Sequence, residues 1–341
     1  MALPSLLESY CTDYLTTRAL GMFDRSEALK DRATGLAVTE RLKSLGDADG
    51  DALARLGSSL EVLKRLLTLD RLTVAITSTE PQRELAQSIV RTLEEYRIDG
   101  KKADTPPVCA PKACLITGTE EAMNTLLAIH AERAARIRCS VPLNKKESLG
   151  LAIATDTAHA YVITNLNQAG VGAEYKGSYL TCNNLLNLTD LWEAIRVKGG
   201  AYGAGISTRY NTGGIVAHSY RDPSPAESAE ILISVPEMLR EWAHRFEDGA
   251  PLDEFIISAI GATDSTSSPR SEGSSATLHA MCGIGHGRIE QRRRQIIDTT
   301  PADILAAADT YEKAMSAAVY AVAAPADKLQ ALPFLDRIIT L

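Results

Sequence analysis

The chain has 341 residues, enough for two domains of ordinary size. Hydrophobic residues make up 45% and charged residues 23%, a globular balance, and 5% aromatics leave the core to Leu, Ile, Val and Ala. From the net charge of −7, with no basic run beyond Arg292-Arg293-Arg294, no nucleic-acid binder is expected, and no apolar run is long enough to span a bilayer.

Residues 1–69 read as helices. The clearest carries Leu53, Leu56, Leu60, Leu63 and Leu67 at a/d spacing, with Glu61, Lys64 and Arg65 on the outer face. A stripe of only about two heptads predicts a core-facing helix rather than a coiled coil. A strand follows over residues 72–77, then a helix from Pro81 to about Tyr96, with proline in its first turn. Residues 99–111 (DGKKADTPPVCAP) hold three prolines among polar residues and form the best linker. A helix fits 119–137, and 138–155 carry no clear pattern.

The second half is sharper. Residues 159–166 (HAYVITNL) predict a strand. A helical pattern over 179–197 stops at Gly199-Gly200. Strands fit 201–209 and 214–220, joined by Asn211-Thr212-Gly213-Gly214. Ser224-Pro225-Ala226-Glu227 predicts a capping box, opening a helix that buries Ile231, Val235, Met238 and Trp242, with Leu232, Leu239 and Phe246 beside them. Further helices are expected over 251–262, 273–282 and 287–297, and from Thr300-Pro301 with Asp303 in the first turn. Strands at 317–323 and 335–340 close the chain. Long helices beside hairpin-like strand pairs predict an α+β fold with an antiparallel or mixed sheet.

Chemistry concentrates between Leu191 and Tyr220. Arg196 lies in the last turn of a helix, two glycines end that helix, and Tyr202 begins the next strand. A guanidinium and a phenol emerging together at a sheet edge can bind a peptide carbonyl and donate to an oxyanion. The plainer reading is that Arg196 pairs with Glu193 or caps carbonyls while Tyr202 packs. Arg221 likewise has two readings, a pair with Asp222 or a place facing the substrate.

The block LWEAIRVKGGAYG, followed by a strand and then SYRDP, resembles the fourth-domain signature of presequence proteases, a branch of the pitrilysin/insulysin zinc peptidases. Weaker similarity upstream, through the leucine-rich helix and LTVAITSTE, resembles the end of that family's third domain. The resemblance implies the metallopeptidase-repeat fold of the mitochondrial processing peptidase type, with helices packed on the sheet. It divides the chain into part of a third repeat (1–103), a connector (104–152) and a non-catalytic fourth repeat (153–341). It also implies two halves closing around an unstructured peptide: one carries the zinc motif HxxEH, and the other lends an arginine and a tyrosine six positions apart. Carried over, Arg196 and Tyr202 bind substrate together with Gly199 and Gly200, and Tyr202 assists catalysis by stabilising the tetrahedral intermediate.

This chain holds no HxxEH or HExxH. The nearest miss is His244-Arg245-Phe246-Glu247-Asp248, where aspartate replaces the second histidine. His279, Cys282 and His286 fall at i, i+3 and i+7, but the glycines at 283, 285 and 287 argue against one helix face. No metal is therefore expected here; zinc belongs to the partner half, and the chain alone is expected to be inactive. There is no GxSxG elbow and no phosphate loop, and the Asn187 sequon lies in a predicted helix.

The leading expectation is thus the carboxyl-terminal, non-catalytic half of a zinc metalloendopeptidase. Its partners are an HxxEH-bearing amino-terminal half, on the same parent chain or a separate subunit, and an unstructured peptide. The alternative is a stand-alone inactive pseudo-peptidase acting as a binding or assembly module. A third reading, a hydrolase of another class, needs a metal at His244/Glu247 or His279/Cys282/His286. Apolar helix faces of a partial amino-terminal domain would also favour a homodimer. Six scattered cysteines with no CxxC suggest reduced thiols, and the start lacks the features of a signal peptide; together these predict a cytoplasmic location, although the start also reads as the middle of a protein.

Overall fold

The computed structural model describes residues 3–66, 76–78, 80–95, 141–154, 157–167, 172–264 and 267–340. The expected linker at 99–111 and helix at 119–137 lie outside the described residues, as do most of the expected strand at 72–77 and the boundary at 103/104.

The chain divides into two compact units. One comprises Met1–Thr39, Cys139–Ser265 and Glu290–Leu341; the other comprises Glu40–Arg138 and Thr266–Ile289.

The first unit is built on a six-stranded mixed sheet, which makes the fold α+β. Its strands are β1 (Leu149–Ala152), β2 (Ala158–Asn165), β3 (Gly203–Thr208), β4 (Gly214–Asp222), β5 (Val319–Ala324) and β6 (Arg337–Ile339), in the order β3-β4-β2-β5-β1-β6. β1 runs parallel to β5 and β6, and the other neighbours are antiparallel. β1 falls where the sequence has no clear pattern: LGLA is short and offers no alternation to read.

Both faces of the sheet are covered, so its central strands are apolar on alternate and intervening positions alike. Helix α1 (Leu3–Leu20) lays Cys11, Leu15 and Ala19 on one face, against Tyr161 and Ile163 of β2, Val216 of β4, and Ala321 and Ala323 of β5. This helix lies within the segment 1–103, and its core is that of the sheet. On the other face Val162, Ile206, Ile215 and Ala217 meet a helical layer. That layer is formed by α6 (Ser178–Leu188), α7 (Pro225–Ile233), α8 (Val235–Glu247) and α12 (Pro301–Met315). In chain order, α9 (Asp253–Thr263), α10 (Pro269–Met281, in the other unit) and α11 (His286–Ile297) come between α8 and α12.

Two local expectations need correction. The helix after Ser224 is two helices broken at Ser234, ahead of Pro236, so the buried stripe shifts by a residue to Leu232, Val235, Leu239, Ala243 and Phe246; Ile231, Met238 and Trp242 are half-buried. The Ser224 capping box does not form. Asp222 Oδ1 instead accepts the Ser224 N–H at 2.8 Å, which fixes the chain entry from two residues upstream. A full capping box forms at Thr300 and Asp303, where each side chain reaches the other's backbone N–H.

The second unit contains most of α3 (Leu36–Gly46), together with α4 (Gly50–Leu66), α5 (Arg83–Glu95) and α10. The leucine stripe expected to face a core lies open instead: Leu53, Leu60 and Leu63 are 50%, 55% and 55% exposed, and Leu56 is half-buried. Leu67 is outside the described residues. Periodicity establishes that a helix face is apolar but not what meets it.

Candidate functional site

The site grows from the way α6 gives way to β3. Leu191 and Ile195 are fully buried and anchor the segment in the core. Their spacing is met by a π-helical turn, Trp192–Lys198, rather than by the plain α-helix the pattern suggests. The Gly199 N–H donates back to Ala194 O at 3.0 Å, Gly200 N–H to Arg196 O at 3.1 Å and Ala201 N–H to Ile195 O at 3.1 Å. That last link is one residue wider than in an ordinary Schellman closure, as a widened turn requires.

Both glycines are needed by the backbone. A Cβ on Gly199 would lie 2.6 Å from Ile195 O, and Gly200 has φ +76°. The chain therefore enters β3 sharply, with Tyr202 at the corner. Behind the corner, Asn187 of α6 locks the strand: its Oδ1 accepts the Ile206 N–H at 2.7 Å and its Nδ2 donates to Ile206 O at 3.0 Å. This structural task accounts for the asparagine of the sequon.

The corner brings Arg196 and Tyr202 together. The Arg196 guanidinium carbon lies 3.9 Å from the Trp192 ring centroid and 5.8 Å from that of Tyr202. Glu193 does not take Arg196; its Oε1 meets Lys198 Nζ at 3.4 Å. Tyr202 does not pack away either, being 65% exposed. Sequence reasoning missed Trp192, although its i, i+4 spacing from Arg196 was the available signal.

β4 supplies the other wall. The Tyr202 N–H reaches both Tyr220 O at 3.0 Å and Arg221 O at 3.3 Å. The Tyr202 and Tyr220 rings sit 6.1 Å apart, edge to face, and Tyr220 in turn lies 4.6 Å from the His159 ring. Arg221 approaches the Tyr202 and Tyr220 rings at 5.9 and 5.7 Å. Burial, aided by the Arg221 charge and opposed by Asp222, pushes the His159 imidazole below its ordinary pKa; burial does the same to His218. Asp222 is fully buried and occupied, accepting from Ser219 Oγ at 2.5 Å as well as from the Ser224 N–H.

An exposed phenol beside a guanidinium can donate hydrogen bonds to carbonyl oxygens or to a developing oxyanion. The other candidates have a different character. His244 and Glu247 face each other at 3.4 Å on the exposed end of α8. His279 lies in the last turn of α10, Cys282 caps it, Gly283 turns the chain with φ +71°, and His286 opens α11. Among the described residues no three His, Cys, Asp or Glu side chains converge as a metal site needs. No helix among them is long and apolar enough to cross a membrane.

A family model described as the PreP C-terminal domain matches residues 151–325, which include this whole corner. Protein HypA of Clostridium perfringens is 29% identical over 138 residues, 40% of this chain and 14% of that protein. Presequence protease 1, chloroplastic/mitochondrial, of Arabidopsis thaliana is 30% identical over 152 residues, 45% of this chain and 14% of that protein. The match thus spans about one seventh of the length of these curated relatives. The peptidase M16 inactive domain from Pseudomonas fluorescens aligns with 81% of this chain and 71% of its own, at 13% identity and a TM-score of 0.40. With more than half of its length matched by the family model, the chain belongs to the PreP C-terminal domain family.

Proposed function

We propose that the chain is the non-catalytic half of a zinc metalloendopeptidase, binding an unstructured peptide and completing the active site of an HxxEH-bearing half. One observation carries the reading: Arg196 and Tyr202 lie side by side on an exposed corner, 5.8 Å from guanidinium carbon to ring centroid. In this reading Arg196, held on Trp192, grips the substrate backbone, and Gly199 and Gly200 let that backbone approach. The Tyr202 phenol donates to the oxygen on which negative charge develops at the scissile carbonyl. Zinc, held by the partner half, would supply the activated water there. The partner half belongs to the same parent chain or to a separate subunit.

The division into a partial third repeat (1–103), a connector (104–152) and a fourth repeat (153–341) belongs to the same reading, with α1 packed on the fourth repeat's sheet. The open leucines of α4 suit a homodimer when the chain stands alone. Free Cys182 and Cys282 suit a reducing compartment; the organellar name of the plant relative bears against a narrower, cytoplasmic placement.

The test is reconstitution. The chain alone should not cleave an unstructured peptide, and adding the HxxEH half should restore cleavage. Tyr202→Phe should then lower kcat by about 100-fold, the size of losing one oxyanion donor, with peptide affinity little changed. Unchanged turnover would remove Tyr202 from the mechanism. Failure of any HxxEH half to gain activity would favour the stand-alone pseudo-peptidase.

A further inference from the structure

Arg221 is the extra residue of a β-bulge. In the pairing of β2 with β4, Ala158 faces Asp222 and His159 faces Tyr220, which leaves Arg221 without a partner. Its φ is +47°, and it is the one non-glycine with positive φ among the described residues. A left-handed bulge position is where glycine is the usual occupant, and a side chain there is strained by about 1–2 kcal/mol. The surroundings hold it in place. Tyr202 N–H shares itself between Tyr220 O and Arg221 O, and Asp222 fixes the next turn through Ser219 and Ser224. Bulges of this kind re-aim a side chain, and this one turns an exposed guanidinium toward Tyr202.

The charge arrangement gives the strain a purpose. Asp222, the neighbour the sequence offers Arg221, is spent on two other donors. Among the described residues neither Arg196 nor Arg221 has an ion-pair partner, although the chain carries a net charge of −7. Two guanidinium groups therefore approach one exposed phenol ring, at 5.8 and 5.9 Å, neither of them in an ion pair among the described residues. Guanidinium forks match the geometry of a carboxylate.

We infer that Arg221 is a recognition residue: beside Tyr202, on the same ring that the backbone-gripping Arg196 approaches, its guanidinium takes a carboxylate of the bound peptide. The carboxylate comes either from an acidic side chain or from the peptide's free C-terminus. The inference rests on the reading that this corner receives peptide, and it adds which peptides are preferred.

The experiment is a binding titration of the whole chain with three fluorescent versions of one unstructured peptide. The first carries a glutamate and a free C-terminus, the second replaces glutamate by glutamine, and the third has a C-terminal amide. Wild type should bind the first version about tenfold tighter than one of the others, as a charge-assisted pair would give. The version that loses affinity identifies the source of the carboxylate. In Arg221→Gly that preference should shrink to less than about twofold, while the thermal midpoint stays level or rises because glycine relieves the backbone strain. Equal wild-type affinity for all three versions would overturn the inference, as would full preference in Arg221→Gly. If the HxxEH half restores cleavage but no acidic preference appears, only this inference falls. If the peptides neither bind nor are cleaved, the proposed function falls and takes the subsite with it.

Discussion

Helices α12 and α4 carry apolar stripes of the same kind and meet opposite fates. In α12, Ile304, Ala307, Ala308, Tyr311 and Ala314 are buried against the sheet and its helical layer. In α4, Leu53, Leu60 and Leu63 stand open, each at least half exposed. Both helices obey the same 3.6-residue rule, but α12 is packed into a core while these leucines of α4 are exposed. Burial, not periodicity, turns a stripe into stability, since the free energy follows the apolar area removed from water.

The largest expected effect follows from emptying the α12 side. Tyr311 is fully buried, and its hydroxyl donates to Asn183 Oδ1 at 2.9 Å and lies 2.6 Å from Thr208 Oγ1, so it ties α12 to α6 and to β3. Tyr311→Ala should cost about 3–5 kcal/mol, read as a lower urea midpoint. Tyr311→Phe keeps the volume and removes only the hydroxyl. It should cost about 1–2 kcal/mol, because buried Asn183 and half-buried Thr208 lose a partner. Equal losses in the two variants would mean that the hydrogen bonds, and not the packing, hold α12 down.

A pH series probes the same unit more gently. The folded sheet holds His159 and His218 below their ordinary pKa of 6.5, so the unfolded chain binds protons more readily. Their contribution to stability is fully present above pH 6.5 and is lost as pH falls through that value toward the lower folded pKa values. The thermal midpoint should therefore fall on acidification through this window. A His159→Gln, His218→Gln double variant should flatten the fall, and an unchanged slope would assign it to other groups. The smallest effect belongs to α4: Leu60→Ala should change stability by less than about 0.5 kcal/mol, since more than half of the residue is exposed. A loss comparable to Tyr311→Ala would show that α4 is covered in solution, for instance by a second copy of the chain.

Much of the fold was legible because it is written locally. The two helix starts with proline at Pro225 and Pro301, the stop at Gly199-Gly200, and the hairpin around Gly213-Gly214 each depend on a few adjacent residues. Strands β2, β3, β4 and β5 fall within a residue or two of where their composition puts them. Of the corner, Arg196, Tyr202 and the two glycines were legible as one block. What escaped was any feature set by a competing partner. Ser224 reads as a cap as well as Thr300 does, yet Asp222 claims its N–H first. The π turn is invisible in the spacing because it arises from reconciling buried Ile195 with the start of β3.

The sequence by itself determined that a helix ends where a strand begins at residues 199–202, and that a guanidinium and a phenol flank that junction. It also determined the family, through the block that carries them. Only the tertiary structure decided that Tyr202 meets the Tyr220 ring and that Arg221 leaves Asp222 for the Tyr202 ring. The reason is one of range. Glycine conformations and helix ends are fixed by neighbours along the chain, whereas the choice among charged and aromatic partners is made by distances across β3 and β4, which exist only once the sheet has formed.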